Sequence, residues 1–213
     1  MSHLQRRIVL VVLTVVLLAM IAVVIGAMTR TQPETTSGVA STAPSLSILK
    51  EVHSPGAVAL DERLAPGECS VVRVNATAGD DLPDPKCTPG AIDPAVTQNN
   101  IAATICTSGY TATVRPPASE SDRFKATALA AYGETGKPTT ELDHLVSLEL
   151  GGANSASNLW PEPNRSGATG TANPKDAVEG ALHKAVCDRR LKLAAAQQAI
   201  ARDWVTALKD LGL

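Results

Sequence analysis

The sequence predicts an α+β domain that follows a single transmembrane helix. Positions 59 to 100 are interrupted by prolines and glycines, a pattern that favours short strands and turns over long helices. Later segments instead place apolar residues at helical spacing. An uncharged apolar run covers positions 8 to 28. Together these features predict a membrane-anchored domain of mixed secondary structure.

The apolar run at 8–28 has the length of one membrane-spanning helix. At 1.5 Å per residue its roughly 21 positions would span about 32 Å, the thickness of one bilayer core. Arg6 and Arg7 precede the run and predict a cytoplasmic tail over 1–7, although Arg30 on the far side weakens that bias. A cleaved secretory signal is the alternative, but its apolar core would be unusually long. In both cases the rest of the chain is expected outside the cytoplasm.

Positions 29–58 are rich in Thr, Ser, Pro and Ala and lack a periodic apolar pattern. This composition predicts a flexible linker with a reach of roughly 30 Å. His53 falls in this segment and is interpreted as a solvated linker residue. The remaining positions, 59–213, correspond in length to one domain.

The four cysteines all follow the apolar run, and an even count outside the cytoplasm predicts two disulfides. Three pairings are possible. We favour Cys69–Cys87 with Cys106–Cys187, because the first pair brackets a stretch rich in Pro, Gly and Asp. A zinc site is the alternative, but the chain has no Cys-x-x-Cys spacing.

Several elements of the domain follow from local patterns. A short strand is expected at 71–74, a short helix at 96–104 and an extended segment at 110–115. A helix is expected at 119–132, capped by Ser119 or Ser121. Two helices are expected to close the chain, at 174–187 and 193–211. The second carries an apolar stripe that indicates core packing, formed by Ile200, Trp204, Leu208 and Leu211.

The most informative segment is 141–162, where Asp143 directly precedes His144 and a Gly151-Gly152 turn precedes Asn158-Leu159. A carboxylate can hold a divalent metal. The neighbouring imidazole, with a pKa near neutrality, can take a proton from water. This order of residues can therefore serve hydrolysis of a phosphodiester.

The segment resembles the ββα-metal core of the HNH endonucleases, carried by Asp-His, Gly-Gly and Asn-Leu. The resemblance implies a core over 139–187, with strands at 141–148 and 157–160 and the helix at 174–187. It also implies that His144 is the general base, that Asp143 binds the metal, and that Asn158 fixes the loop of the base by hydrogen bonds across the hairpin. Ser147 stands where relatives commonly have proline.

The resemblance also implies that the helix at 174–187 supplies a further metal ligand, usually a His or Asn. Asp176, Glu179 and His183 lie on one polar stripe of that helix, and Asn164 is another candidate. Asp176 and Glu179 are favoured, because a hard cation such as Mg²⁺ or Mn²⁺ prefers oxygen. Lys175 is expected to contact phosphate or to face water.

The formal net charge of −2 does not predict tight non-specific binding of nucleic acid. A bound divalent metal would supply positive charge where phosphate must lie. The charge therefore counts against a nuclease without excluding one. The resemblance implies a nuclease acting on DNA in preference to RNA outside the cytoplasm. The alternative is an envelope domain that uses an HNH-like scaffold for binding without catalysis.

Overall fold

The computed structural model describes residues 49–135, 140–165 and 173–213, which form a mixed α+β structure. Its strands are β1 (Lys50–Glu51), β2 (Val72–Asn75), β3 (Asp80–Leu82), β4 (Ala91–Ile92), β5 (Glu141–His144) and β6 (Leu159–Glu162). Its helices are α1 (Tyr110–Val114), α2 (Ala118–Ala131), α3 (Pro174–Cys187), α4 (Leu193–Asp203) and α5 (Ala207–Asp210). Short 3₁₀ turns occupy Ile101–Ala103 and Leu148–Leu150. The predicted fold class is thus confirmed at the level of α+β.

The described strands pair two by two. β1 runs parallel to β4, whereas β2 pairs with β3 and β5 pairs with β6 in antiparallel fashion. In the last pair Asp143 lies opposite Trp160 and Glu141 lies opposite Glu162. Side chains at 141, 143, 160 and 162 therefore share one face of this hairpin.

The main core lies between the C-terminal helices and the β5–β6 hairpin. Trp160, Leu182, Val186 and Ile200 are fully buried there, and Trp204 is 2% exposed. Burial of each such side chain contributes about 1.5–3 kcal/mol. A second apolar cluster joins Phe124 and Ala128 of α2 to Leu159 of β6. The two clusters hold the hairpin from both sides.

Both long predicted helices near the motif are present, with local differences. The helix predicted at 174–187 is α3, Pro174–Cys187. The helix predicted at 119–132 is α2, but neither serine caps it, because Pro117 occupies the N-cap position.

The single helix predicted at 193–211 is wrong, since the chain divides into α4 and α5. Asp203 Oδ1 accepts hydrogen bonds from the backbone N–H groups of Val205 and Thr206 and so ends α4. The indole N–H of Trp204 donates to Asp81 O at 2.8 Å, which anchors the break in the core.

Two local predictions before the motif are also wrong. Residues predicted to be extended at 110–115 form α1, whose start follows Gly109 in the left-handed conformation, φ 81°. No residue of this helix is buried, but its last carbonyl, Val114 O, accepts hydrogen bonds from Gly56 N and Asn154 Nδ2, both at 2.8 Å. The helix predicted at 96–104 is reduced to the 3₁₀ turn Ile101–Ala103, where the side chain of Asn100 bonds Thr97 N and Ala95 O instead.

The segment 49–58, assigned to the linker from sequence, packs against the domain. β1 pairs with β4, and Gly56 N donates to Val114 O at 2.8 Å. His53, predicted to be a solvated linker residue, instead contacts the domain, because its Nδ1 lies 2.8 Å from Asp93 Oδ1. The domain therefore begins before residue 59.

The predicted tail at 1–7, the transmembrane helix at 8–28 and the linker up to residue 48 lie outside the described residues. Among the residues that are described, no helix has both the length and the apolar character needed to cross a bilayer.

Two disulfides are present, with the favoured pairing. Cys69–Cys87 has a Cα–Cα distance of 6.0 Å, and Cys106–Cys187 has one of 5.6 Å. The second bond joins the segment before α1 to the end of α3. In the chain-entropy model, loops of these lengths give roughly 3 and 4.5 kcal/mol of stabilisation.

Candidate functional site

The turn between β5 and β6 depends on two glycines. Gly151 adopts the left-handed conformation, φ 73°, as the chain leaves the 3₁₀ turn Leu148–Leu150. A Cβ on Gly152 would lie 1.7 Å from Val146 O, so no other residue fits there. The strands are shifted from their predicted limits, because β5 ends at His144 and β6 begins at Leu159.

Asn158 ties this loop together from a fully buried position. Its Oδ1 accepts hydrogen bonds from Val146 N at 2.9 Å and Ala91 N at 3.2 Å. Its Nδ2 donates to Ala153 O at 2.9 Å and Val146 O at 3.0 Å. Asn158 therefore acts as a positioning residue, since both polar atoms of its side-chain amide are hydrogen-bonded to backbone groups.

His144 is held in one tautomer by Asn154. The Asn154 Nδ2 donates to Ser54 O and Val114 O, both at 2.8 Å, so its Oδ1 faces the imidazole. His144 Nε2 lies 2.9 Å from that oxygen and must carry the hydrogen. The unprotonated nitrogen of the neutral ring is therefore Nδ1. Burial lowers the pKa of His144 to about 4, which keeps the ring neutral near pH 7.

Lys175 is buried beside the motif rather than exposed to solvent. Its side chain is 1% exposed, and Nζ lies 2.9 Å from Asp143 Oδ2 and donates to His144 O at 2.8 Å. Nζ also contacts Glu179 Oε1 one turn along α3. Asp143 Oδ2 in turn accepts from Trp160 Nε1 at 3.0 Å. The expectation that Lys175 contacts phosphate or faces water does not match this placement.

A cavity of about 120 Å³ opens beside these residues, and we call it the acidic cleft. His144 lines it together with Asp143 of β5 and with Asp176 and Glu179 of α3. The helix start is fixed by Asn173, whose N–H donates to Asp176 Oδ2 at 3.3 Å. The cleft is also lined by Thr111, Arg115, Glu141, Leu142, Ser147, Leu148 and Glu149.

Carboxyl groups are concentrated at this site. Burial raises the pKa of Glu141 to about 7, and the nearby charges of Asp143 and Asp176 add to the shift. Burial also raises the pKa of Glu179 to about 7 against the opposing effect of Lys175. Burial also raises the pKa of Glu162 to about 10, and repulsion from the charge of Asp143 adds to this shift. Burial alone would lower the pKa of Lys175, but the surrounding carboxylates outweigh it and raise the pKa.

Two other ligand candidates lie apart from the cleft lining. His183 lines a separate cavity of about 340 Å³, where its Nε2 donates to Ile105 O at 2.8 Å. Asn164 follows β6 and is partly buried. The structure thus brings Asp143, His144, Asp176 and Glu179 together, with Asn158 behind the loop.

Sequence reasoning missed Asn154, Arg115, Glu141 and Glu162 as members or neighbours of the site. The sequence could have placed Glu141 and Glu162 at the site. Glu141 lies two residues before Asp143 on the same strand, and the hairpin pairing places Glu162 opposite Glu141. The sequence carried no signal for Asn154, whose role depends on contacts with backbone at Ser54 and Val114.

Within the described part of the chain, three metal-ligating atoms approach within 4.8 Å of one another at Cys106, His183 and Cys187 only. The cysteines of that group form a disulfide and do not offer thiolates in this state. Beside the acidic cleft, the buried ammonium of Lys175 contacts the carboxylates of Asp143 and Glu179.

Comparison with known proteins found no matching family model, no matching curated protein and no matching solved structure.

Proposed function

We propose that this protein hydrolyses phosphodiester bonds of nucleic acid, DNA in preference to RNA, with a divalent metal and an HNH-like site. The observation that carries the proposal is the alignment of His144 with the carboxylates of Asp143, Asp176 and Glu179 along one cleft. A neutral imidazole beside several oxygen ligands is the combination used in metal-assisted hydrolysis.

The imidazole of His144 is neutral and can accept a proton, although its pKa of about 4 makes it a weaker base than an imidazole of ordinary pKa. With Nε2–H donated to Asn154, the lone pair of Nδ1 can take the proton of an attacking water. Asn158 keeps the loop that follows His144 in place through its bonds to Val146. Arg115 lines the cleft and can contact a phosphate oxygen.

The proposal includes a hard divalent cation such as Mg²⁺ or Mn²⁺. No three carboxylate oxygens of the cleft lie within 4.8 Å of one another among the described residues, so the cation would have to draw them together. Glu141, Asp143, Asp176 and Glu179 would hold it, because they offer carboxylate oxygens to one cleft. Burial is the first cause of the raised pKa values of Glu141 and Glu179, and the charge of Asp143 adds to both shifts. A cation bound there supplies positive charge for the phosphate and lowers the pKa of a bound water. Without it, the cleft would repel a phosphodiester.

The test is cleavage of plasmid DNA and of RNA by the full-length protein, purified with detergent and with its disulfides intact. Cleavage that requires Mg²⁺ or Mn²⁺, stops with EDTA and is lost in His144→Ala supports the proposal. His53→Ala is the matched control, because that ring is exposed on the surface and bonds Asp93. A folded wild-type protein that cuts neither substrate with either metal would refute it.

A non-catalytic binding domain is the second candidate. The observation in its favour is that Lys175 already places a cation against Asp143 and Glu179. In that case the protein would bind its ligand without hydrolysis, and His144→Ala would leave binding unchanged.

We also propose that the domain lies outside the cytoplasm, anchored by the apolar run at 8–28. The two disulfides support an oxidising location. N-terminal sequencing of the mature protein distinguishes an anchor from a cleaved signal, because only cleavage would remove that run.

A further inference from the structure

The disulfide between Cys106 and Cys187 lies beside the imidazole of His183, and none of these three residues has a role in the proposed nuclease reaction. Cys187 follows His183 by four residues on α3, so both side chains project from the same face of the helix. Cys106 approaches from the segment before α1. One potential ligand atom from each of the three residues lies within 4.8 Å of the other two.

We propose that Cys106, His183 and Cys187 form a binding site for a thiophilic metal ion such as Zn²⁺ or Cu⁺ once their disulfide is reduced. Two thiolates and one imidazole are a ligand set that such ions prefer. The oxidised and metal-bound forms are then alternative states of the same three side chains.

The surroundings of the site hold His183 in place without the disulfide. Its Nε2 donates to Ile105 O at 2.8 Å, which ties the ring to the residue preceding Cys106. Leu182 and Val186, which flank His183 on α3, are fully buried in the main core. The helix is therefore anchored by packing as well as by the covalent bond.

The site is also open to a metal and to a reductant. Cys106, His183 and Glu149 are among the residues that line the cavity of about 340 Å³. Glu149 Oε2 is 3.9 Å from His183 Nδ1, so a carboxylate oxygen lies beside the imidazole, although it is not within 4.8 Å of all three ligand atoms. Both cysteines of this pair are partly exposed, whereas Cys69 and Cys87 are 4% and 5% exposed. A reductant therefore reaches Cys106–Cys187 more readily.

The conversion needs an external two-electron reductant, a dithiol of the kind found in thiol–disulfide oxidoreductases. Two electrons pass to the sulfur–sulfur bond, which becomes two thiols, and the dithiol becomes a disulfide. Binding of Zn²⁺ then releases the two thiol protons.

The experiment titrates Zn²⁺ into the full-length protein after reduction by a phosphine, which leaves no competing thiol. Co²⁺ serves as a spectroscopic probe, because thiolate ligands give it a charge-transfer absorption. We expect the reduced wild type to bind Zn²⁺ and the oxidised protein to lack this site. His183→Ala should weaken binding at least about 10-fold.

His53→Ala is the matched control and should bind as the wild type does. The proposal is overturned if His183→Ala binds as tightly as the wild type, because binding then reflects cysteines alone, including Cys69 and Cys87. It is also overturned if the reduced wild type keeps its helical circular dichroism and does not bind, or loses that signal on reduction. These outcomes are independent of whether the acidic cleft cleaves nucleic acid.

Discussion

The ammonium of Lys175 lies 2.9 Å from the carboxylate of Asp143, and the lysine side chain is 1% exposed. An ammonium buried to this degree is stable only when acceptors replace its water. Asp143, Glu179 and the carbonyl of His144 provide them. Lys175 thus joins the start of α3 to the end of β5, and it limits the repulsion among the carboxylates of the site.

Replacement of Lys175 by methionine should destabilise the protein by about 3–5 kcal/mol at pH 7, because buried carboxylates would lose their counter-charge. Urea unfolding followed by circular dichroism measures this change. The loss should shrink at pH 5, where Glu179, with its pKa raised to about 7, is protonated in the folded protein.

Lys184→Met is the matched control on the same helix. Lys184 pairs with Asp188 at 2.8 Å, but 72% of its side chain is exposed. This substitution should leave the free energy of unfolding nearly unchanged. Equal effects of the two substitutions would show that the buried ion pair of Lys175 stabilises the protein no more than the exposed ion pair of Lys184.

The sequence identified the motif but not the setting in which it lies. Asp143, His144 and Asn158 could be located because their order along one hairpin is local, and α3 could be predicted from its proline start and apolar face. The burial of Lys175 could not, since a lysine in the first turn of a polar helix stripe is ordinarily solvated.

The contacts of His144 could not be predicted from the sequence either. They depend on Asn154, which is held by carbonyls at Ser54 and Val114, 100 and 40 residues away along the chain. His53 was misjudged for the same reason, because the composition around it is that of a linker while β1 and Asp93 bind it to the domain. Local composition predicts which residues are solvated, but contacts with residues far away in the sequence determine which of them are buried or bonded.

Asn158→Ala should destabilise the protein by about 4 kcal/mol, because it leaves buried backbone groups at Ala91, Val146 and Ala153 without partners. Chemical denaturation measures the loss. The control is Asn99→Ala, at an exposed position, which should have little effect. A stable Asn158→Ala variant would show that water replaces the amide.

Stability should fall as the pH rises from about 6.5 to 8. In that window Glu141 and Glu179, with pKa values raised to about 7, lose protons in the folded state, whereas their unfolded forms are already ionised. The folded state therefore binds more protons, and the free energy of unfolding decreases with pH. His144 opposes this trend at the lower end of the window, because its pKa is lowered to about 4 whereas its unfolded form still binds part of a proton near pH 6.5; the two glutamates outweigh it.

Glu141→Gln tests the assignment, since it removes one of these titrations and should flatten the profile measured by urea unfolding at several pH values. Glu51→Gln, on the exposed strand β1, should retain the wild-type slope. A wild-type profile that is flat or rises across this window contradicts the raised pKa values.

Asn154→Ala should reduce the cleavage rate on the order of 10²-fold if the nuclease proposal holds, because His144 loses the acceptor that fixes its tautomer and orientation. The loss should fall on kcat more than on KM, since Asn154 is 2% exposed and does not reach the substrate. Ser54→Ala removes a neighbouring hydrogen bond, from Ser54 Oγ to Asn154 O at 2.8 Å, without touching the imidazole. It therefore controls for loosening of the loop. If both variants lose activity equally, the effect comes from the loop; if neither loses activity, His144 does not depend on Asn154 for its orientation.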